Sequence, residues 1–101
     1  MTRLKNWTLT EYTNSQYTEL AKAPGRIKSL IIANTGERNA TIRVRLTEGS
    51  SIERAVLVAG LDINAGDAVT LDFAMNLGES DQLQVLSNVR GVHFTASGDR
   101  A

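Results

Sequence analysis

Short segments in which apolar and polar residues alternate recur along this chain, and Gly-containing turns separate them. In the segment ATIRVRLTE, Ile42, Val44 and Leu46 fall on one face of an extended backbone. Arg43 and Arg45 fall on the opposite face, which is the pattern of a strand with one buried and one wet side. The turns recur about every 10–14 residues, a spacing that is typical of an antiparallel sandwich or barrel.

A turn followed by an alternating run occurs twice, in INAGDAVTLD (63–72) and in MNLGESDQLQV (75–85). In the first copy, Gly66 lies where a tight turn needs a positive φ, and Asp67 can hydrogen-bond the nearby backbone. We interpret both copies as a device for entering a strand. The Gly reverses the chain, an acidic residue caps the reversal, and alternate apolar residues pack inward.

These signals predict an all-β protein, an antiparallel β-sandwich of about six to eight short strands with jelly-roll or immunoglobulin-like connections. RIKSLIIAN (26–34) carries apolar residues on both faces and is interpreted as a central strand covered on both sides. Residues 1–25 are predicted to form an extended N-terminal arm or outer strand, because Pro24 disfavours a helical conformation at Ala23. Residues 26–101 are predicted to form the sandwich core of a single domain. A parallel α/β fold is excluded, since no helical pattern of crossover length separates the strands.

The inward positions of the alternating segments predict the hydrophobic core. The members are large apolar residues from one face of each segment, with one residue from the predicted central strand. They are Ile31, Ile42, Val44, Leu46, Leu71, Phe73, Leu83, Val85, Val92 and Phe94.

The charge balance of the chain is even, with 11 Lys plus Arg and 11 Asp plus Glu among 101 residues. Such a balance creates no long-range field for nucleic acid or anionic lipid, and it leaves little repulsion between copies. The chain has no Cys, so disulfides and Cys-based metal sites are excluded. The start MTRLKNWTLTEY lacks an apolar h-region, so we expect no signal peptide, and the apolar runs are too short to cross a bilayer.

Residues that could carry catalysis are few. His93 is the only histidine, and its alternation with Val92 and Phe94 predicts that it faces solvent. A triad with Ser97 and Asp99 is disfavoured because no nucleophile elbow or oxyanion hole accompanies them. The carboxylates in the middle of the chain have the spacing of turns rather than of a calcium loop. We therefore expect a protein that is not an enzyme, with no catalytic residue, metal site or cofactor.

Two residue groups suggest an interaction surface. Trp7, Tyr12 and Tyr17 lie within an otherwise polar N-terminal segment, where they either cover one end of the sandwich or dock onto a neighbouring subunit. Arg43 and Arg45 share the wet face of one predicted strand. With Arg38 and Arg54, which lie near them in sequence, these arginines would form a basic face. A nucleic-acid surface is disfavoured, since no aromatic residues interleave with them. The candidate interface residues are Trp7, Tyr12, Tyr17, Arg43 and Arg45.

The order of the segments resembles that of small structural proteins of tailed bacteriophages. In that family an extended arm leads to a P-G-x-x turn and a strand ending in x-A-N, as APGRIKSLIIAN does here. An A-G-D turn, an L-x-x-G-D-x-L-x-V segment and a closing V-x-x-x-A-S-G follow. The likeness covers about residues 17–98, and its motifs are signatures of turns and core. The A-G-D turn corresponds to Ala65, Gly66 and Asp67, and the closing segment to Val92, Phe94, Ala96, Ser97 and Gly98.

One turn departs from the family pattern. Gly78 and Asp81 are separated by two residues instead of being adjacent, which suggests a longer turn before the following strand.

The resemblance implies a non-catalytic virion protein, a capsid decoration, neck or tail-associated subunit that works by multi-copy assembly. Its expected partners are copies of itself and other virion proteins such as capsid, neck or tail subunits, and its expected location is the virion. We expect no nucleic-acid or membrane partner. The alternative is a receptor- or carbohydrate-binding β-sandwich module of a phage fibre. That function would need exposed aromatic residues in the loops after residue 34, whereas the only Trp is at position 7.

Overall fold

The computed structural model describes residues 3–9, 17–22, 25–49 and 51–100. These residues form eight antiparallel strands in two four-stranded sheets, which confirms the predicted all-β sandwich. The strands are β1 (Arg3–Leu9), β2 (Thr18–Lys22), β3 (Gly25–Asn34), β4 (Ala40–Glu48), β5 (Ile52–Ile63), β6 (Ala68–Leu77), β7 (Asp81–Ser87) and β8 (Val92–Arg100).

The strand order is that of a jelly roll. The first half of the chain pairs with the second half as one long antiparallel ribbon, β1 with β8, β2 with β7, β3 with β6 and β4 with β5. The ribbon is wrapped so that β8 also pairs with β3, and β7 also pairs with β4. The sheets have the orders β1-β8-β3-β6 and β2-β7-β4-β5. Of the two connectivities that the strand spacing allows, the structure has the jelly roll.

The N-terminal strands β1 and β2 lie at the outer position of one sheet each, on one lateral side of the sandwich. Strands β6 and β5 occupy the outer positions on the opposite side. The backbone of the N-terminal segment therefore contributes one strand to each sheet and completes the set of eight.

The core lies between the sheets and contains most of the predicted residues. Six of them are fully buried, namely Ile42, Val44, Leu83, Val85, Val92 and Phe94. Leu46 and Leu71 are half-buried and pack against this core. The side chain of Phe73 lies outside the described part of the structure.

Ile31 corrects the prediction for the central strand, because its side chain is 41% exposed while Leu30 and Ile32 are fully buried. Strand β3 does lie between β8 and β6, but its outer face is not covered. The register of β3 shifts between Ile27 and Ser29. A bulge there changes which residues point inward, so Ile27, Leu30 and Ile32 enter the core and Ile31 points outward.

The repeated turn device is confirmed in part. Gly66 has the expected positive φ of 85°, and its N–H donates to the Asn34 carbonyl at 2.8 Å. The acidic cap is visible at the second copy, where Asp81 Oδ2 accepts a hydrogen bond from the Gly78 N–H at 2.8 Å. The Asp81 N–H also donates to the Gly78 carbonyl at 3.1 Å, so the longer turn is closed by main chain and side chain together.

Candidate interaction surface

The structure brings two of the predicted interface residues into direct contact. Arg45 lies on the outer face of the β2-β7-β4-β5 sheet, and its guanidinium is 3.8 Å from the centroid of the Tyr17 ring, just before β2. Arg43 lies on the same face and is exposed. The backbone of Trp7, in β1, pairs with that of Ala96 in β8. The Trp7 side chain and all of Tyr12 lie outside the described part of the structure.

Arg45 is held by polar partners on both neighbouring strands. Its Nε donates to Gln84 Oε1 at 2.8 Å, and its Nη1 lies 3.6 Å from Glu53 Oε1. Gln84 Nε2 in turn donates to Gln82 Oε1 at 3.1 Å. Three strands and the segment before β2 are thus joined across one outer face, with a cation–π contact at its centre.

Gln84 is the residue of this group that sequence reasoning missed. It occupies an outward position in the QLQVLS alternation, yet it is only 4% exposed. Arg45 is its register partner on β4 and Glu19 is its partner on β2, so neighbours on both sides cover it. No local pattern marks this burial, because it depends on which strands flank β7.

Val56 extends this surface onto the outer strand β5. It is the register partner of Arg45, so the two side chains share the outer face, and Val56 is 50% exposed. We call Tyr17, Arg43, Arg45 and Val56 the outer patch. Tyr and Arg are the residue types that are enriched in binding hot spots, and an exposed valine supplies apolar area.

The edge strand β5 is irregular. It uses 12 residues to span the 9 of β4, with register shifts between Ile42 and Val44, between Val44 and Arg45, and between Leu46 and Thr47. Bulges bend and twist an edge strand, which hinders addition of a partner strand along its whole length. Side chains on the outer face, rather than the free backbone of β5, are therefore the more accessible contact surface here.

An apolar cleft of about 400 Å³ opens between the sheets on the lateral side formed by β5 and β6. Leu57 and Val58 line it from β5, and Leu71 and Met75 line it from β6. These four side chains are half-buried and pack on the core.

Arg54, near the start of β5, forms an ion pair with Asp81. Arg54 Nη1 lies 2.6 Å from Asp81 Oδ1, and the Asp81 side chain is largely buried. The hydrogen bond from the Gly78 N–H lowers the pKa of the Asp81 carboxyl below its ordinary value of 3.8; burial opposes this effect and the Arg54 guanidinium reinforces it. Arg54 is therefore engaged in stabilising a turn, and Arg38 lies in the loop between β3 and β4, so the four arginines do not form one basic face.

Asn34 organises the loops at one end of the sandwich. Its buried Nδ2 donates to the carbonyls of Arg38 (2.8 Å) and Ile63 (3.0 Å), and its Oδ1 accepts from the Gly36 N–H (3.1 Å). Its own N–H donates to the Asp67 carbonyl at 2.9 Å. Sequence reasoning placed Asn34 at the end of the predicted central strand and missed its burial.

Residues with catalytic or metal-binding potential are dispersed. His93 is half-buried on the outer face of the β1-β8-β3-β6 sheet, where its register partner is Ala33. Within the described ranges, no group of three or more His, Asp or Glu residues could hold a metal ion. The described part of the chain also contains no helix with the length and apolarity needed to cross a membrane.

Comparison of the chain with protein-family models, with curated proteins and with solved structures finds no match.

Proposed function

We propose that this protein is a non-catalytic structural subunit of a tailed bacteriophage particle, a capsid decoration, neck or tail-associated protein that acts in many copies. The order of turns and strands, which resembles that of small phage structural proteins, supports the virion role. The observation that carries the assembly mechanism is the outer patch, where Arg45 is stacked on Tyr17 beside an exposed Val56.

The patch has the chemistry of a subunit interface. Tyr17 and Arg45 are already ordered by their contact with each other and by Gln84, so little side-chain entropy remains to be lost when a partner covers them. The chain carries no net charge, so copies approach one another without long-range repulsion. We therefore propose that a second copy or another virion subunit packs its apolar surface against Val56 and the aromatic face of the patch.

Sedimentation of the full chain tests the assembly mechanism. We expect the wild-type protein to sediment as an oligomer, and we expect Val56→Asp to shift it towards the monomer at the same concentration with an unchanged melting temperature. Ile31→Asp is the matched control, because Ile31 is similarly exposed on the outer face of the other sheet and should leave the mass unchanged. A monomer at every concentration, or equal effects of the two variants, would contradict self-association through the outer patch.

The virion role has a separate test. Mass spectrometry of purified particles of the phage that encodes this sequence should detect the chain in many copies per particle. Particles that lack it would contradict the virion role, whatever the oligomeric state in solution.

A receptor- or carbohydrate-binding module of a phage fibre is the second candidate. The observation that favours it is a pocket between loops at one end of the sandwich, since sandwiches host ligand sites in their loops. The described lining residues include no aromatic ring on which a sugar face could stack. A glycan-array screen without binding would leave this candidate unsupported.

A further inference from the structure

We infer that the pocket between the β3–β4 and β7–β8 loops is a binding site for a small ligand that bears a carboxylate or phosphate group. The pocket has a volume of about 410 Å³, which is within the range of small-molecule sites. Glu37 and Arg38 line it from one loop, and Asn88 and Arg90 line it from the other. This inference depends on neither of the two functions proposed above.

The two loops are held in place before any ligand binds. The N–H and Oγ1 of Thr35 both donate to the Gly91 carbonyl at 2.8 Å, which joins one loop to the other. Asn88 Oδ1 accepts from the Thr41 N–H at 2.8 Å, and Ser87 Oγ donates to the Val89 carbonyl at 2.8 Å. A pocket with its backbone fixed in this way loses little conformational entropy on binding.

The charges at the pocket favour an anion. The lining residues include two arginines and one glutamate, which give them a net charge of +1, although the whole chain is neutral. A guanidinium offers paired N–H donors that match the two oxygens of a carboxylate or phosphate. Arg38, Arg90 and Glu37 are all exposed, so a ligand can reach them from solvent. Arg90 also makes another interaction within the chain, so Arg38 is the better position to change.

Titration of the full-length ¹⁵N-labelled protein by NMR tests the inference. The probes are inorganic phosphate and glucuronate, with glucose as the uncharged counterpart of glucuronate and sodium chloride holding the ionic strength constant. We expect phosphate, glucuronate or both to cause saturable shifts of the Gly36, Arg38, Asn88 and Gly91 amides. The relative affinities of phosphate and glucuronate identify the preferred group. No saturable shift with either anion, or equal shifts with glucose, would overturn the inference.

Two substitutions that change the charge of the pocket lining in opposite directions give a sharper test. Arg38→Gln should raise the Kd about tenfold, because it removes a charge-assisted contact. Glu37→Gln should lower the Kd about two- to fivefold, because it removes a repulsive carboxylate. Arg43→Gln, at an exposed position on the outer face of β4, is the matched control and should leave the Kd unchanged. Unchanged affinity in both Arg38→Gln and Glu37→Gln would overturn the inference.

Discussion

The Arg45 guanidinium lies 3.8 Å from the centre of the Tyr17 ring, and this contact ties the segment before β2 to the middle of β4. The two residues are 28 positions apart in the chain. They meet because β7 lies between β2 and β4, and Gln84 on β7 accepts a hydrogen bond from Arg45 Nε. The aromatic residue and the arginine that sequence analysis selected separately are thus parts of one outer surface.

Arg45→Met should reduce the free energy of unfolding by about 1–2 kcal/mol, because the substitution removes the hydrogen bond to Gln84 and the stacking on Tyr17. Arg43→Met, two residues along the same face and exposed, should change stability by less than about 0.5 kcal/mol. Urea denaturation of both variants measures the difference. A double-mutant cycle with Tyr17→Leu should give a coupling energy of about 0.5–1 kcal/mol. Additive effects would mean that the stacking contributes nothing to stability.

Asn34→Ala should cost about 1–3 kcal/mol of stability, because it leaves the Arg38 and Ile63 carbonyls and the Gly36 N–H without their hydrogen-bond partner. Amide exchange at Gly36 should accelerate at the same time, as measured by NMR. Asn76→Ala, at an exposed position in β6, is the control and should have little effect on either quantity. Equal stability of the two variants would show that the loops at this end of the sandwich do not depend on Asn34.

Asp81→Asn should destabilise the protein by about 1–3 kcal/mol at neutral pH, because the ion pair with Arg54 is lost. The pKa of Asp81 in the folded protein lies below 3.8, so its carboxylate stabilises the fold above that pH. This contribution disappears as the pH falls through the lower folded-state pKa. The difference in unfolding free energy between wild type and Asp81→Asn should therefore shrink below about pH 3.8.

Denaturant titrations at pH 7, 5, 4 and 3 measure this dependence. Asp72→Asn, which changes an exposed carboxylate in β6, should alter stability by less than about 0.5 kcal/mol at pH 7. A difference between wild type and Asp81→Asn that stays constant down to pH 3 would contradict the proposed role of the Asp81 charge.

Gly98→Ala should destabilise the sandwich by about 1–3 kcal/mol, since an added Cβ would overlap the carbonyl oxygen of Arg26 where β8 pairs with β3. Gly60→Ala is the control, because the nearest atom to its added Cβ is Thr41 Cγ2 at 4.0 Å. Thermal melts should give a lower melting temperature for Gly98→Ala than for Gly60→Ala. A wild-type melting temperature for Gly98→Ala would contradict the close approach of these two strands.

Ile32→Ala should lower the free energy of unfolding by about 2–5 kcal/mol, because it leaves a cavity at a fully buried position in the core. Ile31→Ala should cost less than about 0.5 kcal/mol, since its side chain points to solvent. The pair tests the register of β3 directly, and the opposite ranking would mean that the strand is shifted by one residue.

The sequence by itself predicted the fold class and most of the core. Alternation in ATIRVRLTE places Ile42 and Val44 inside and Arg43 outside whatever strand lies beside it, because the side chains of a strand point to alternate faces. The positive φ of Gly66 was predictable for the same reason, since it follows from the chemistry of a few adjacent residues.

Tertiary structure decided the features that depend on neighbours distant in sequence. The jelly-roll pairing, the bulge that turns Ile31 outward, the burial of Gln84 and the three-way hydrogen bonding of Asn34 all require contacts between separate strands or loops. A period of two says which residues share a face, but a bulge reverses that face, and the strands on either side decide how far an outward residue is covered; neither leaves a local signal. The meeting of Tyr17 with Arg45 was decided in the same way, by the position of β7 between their two strands.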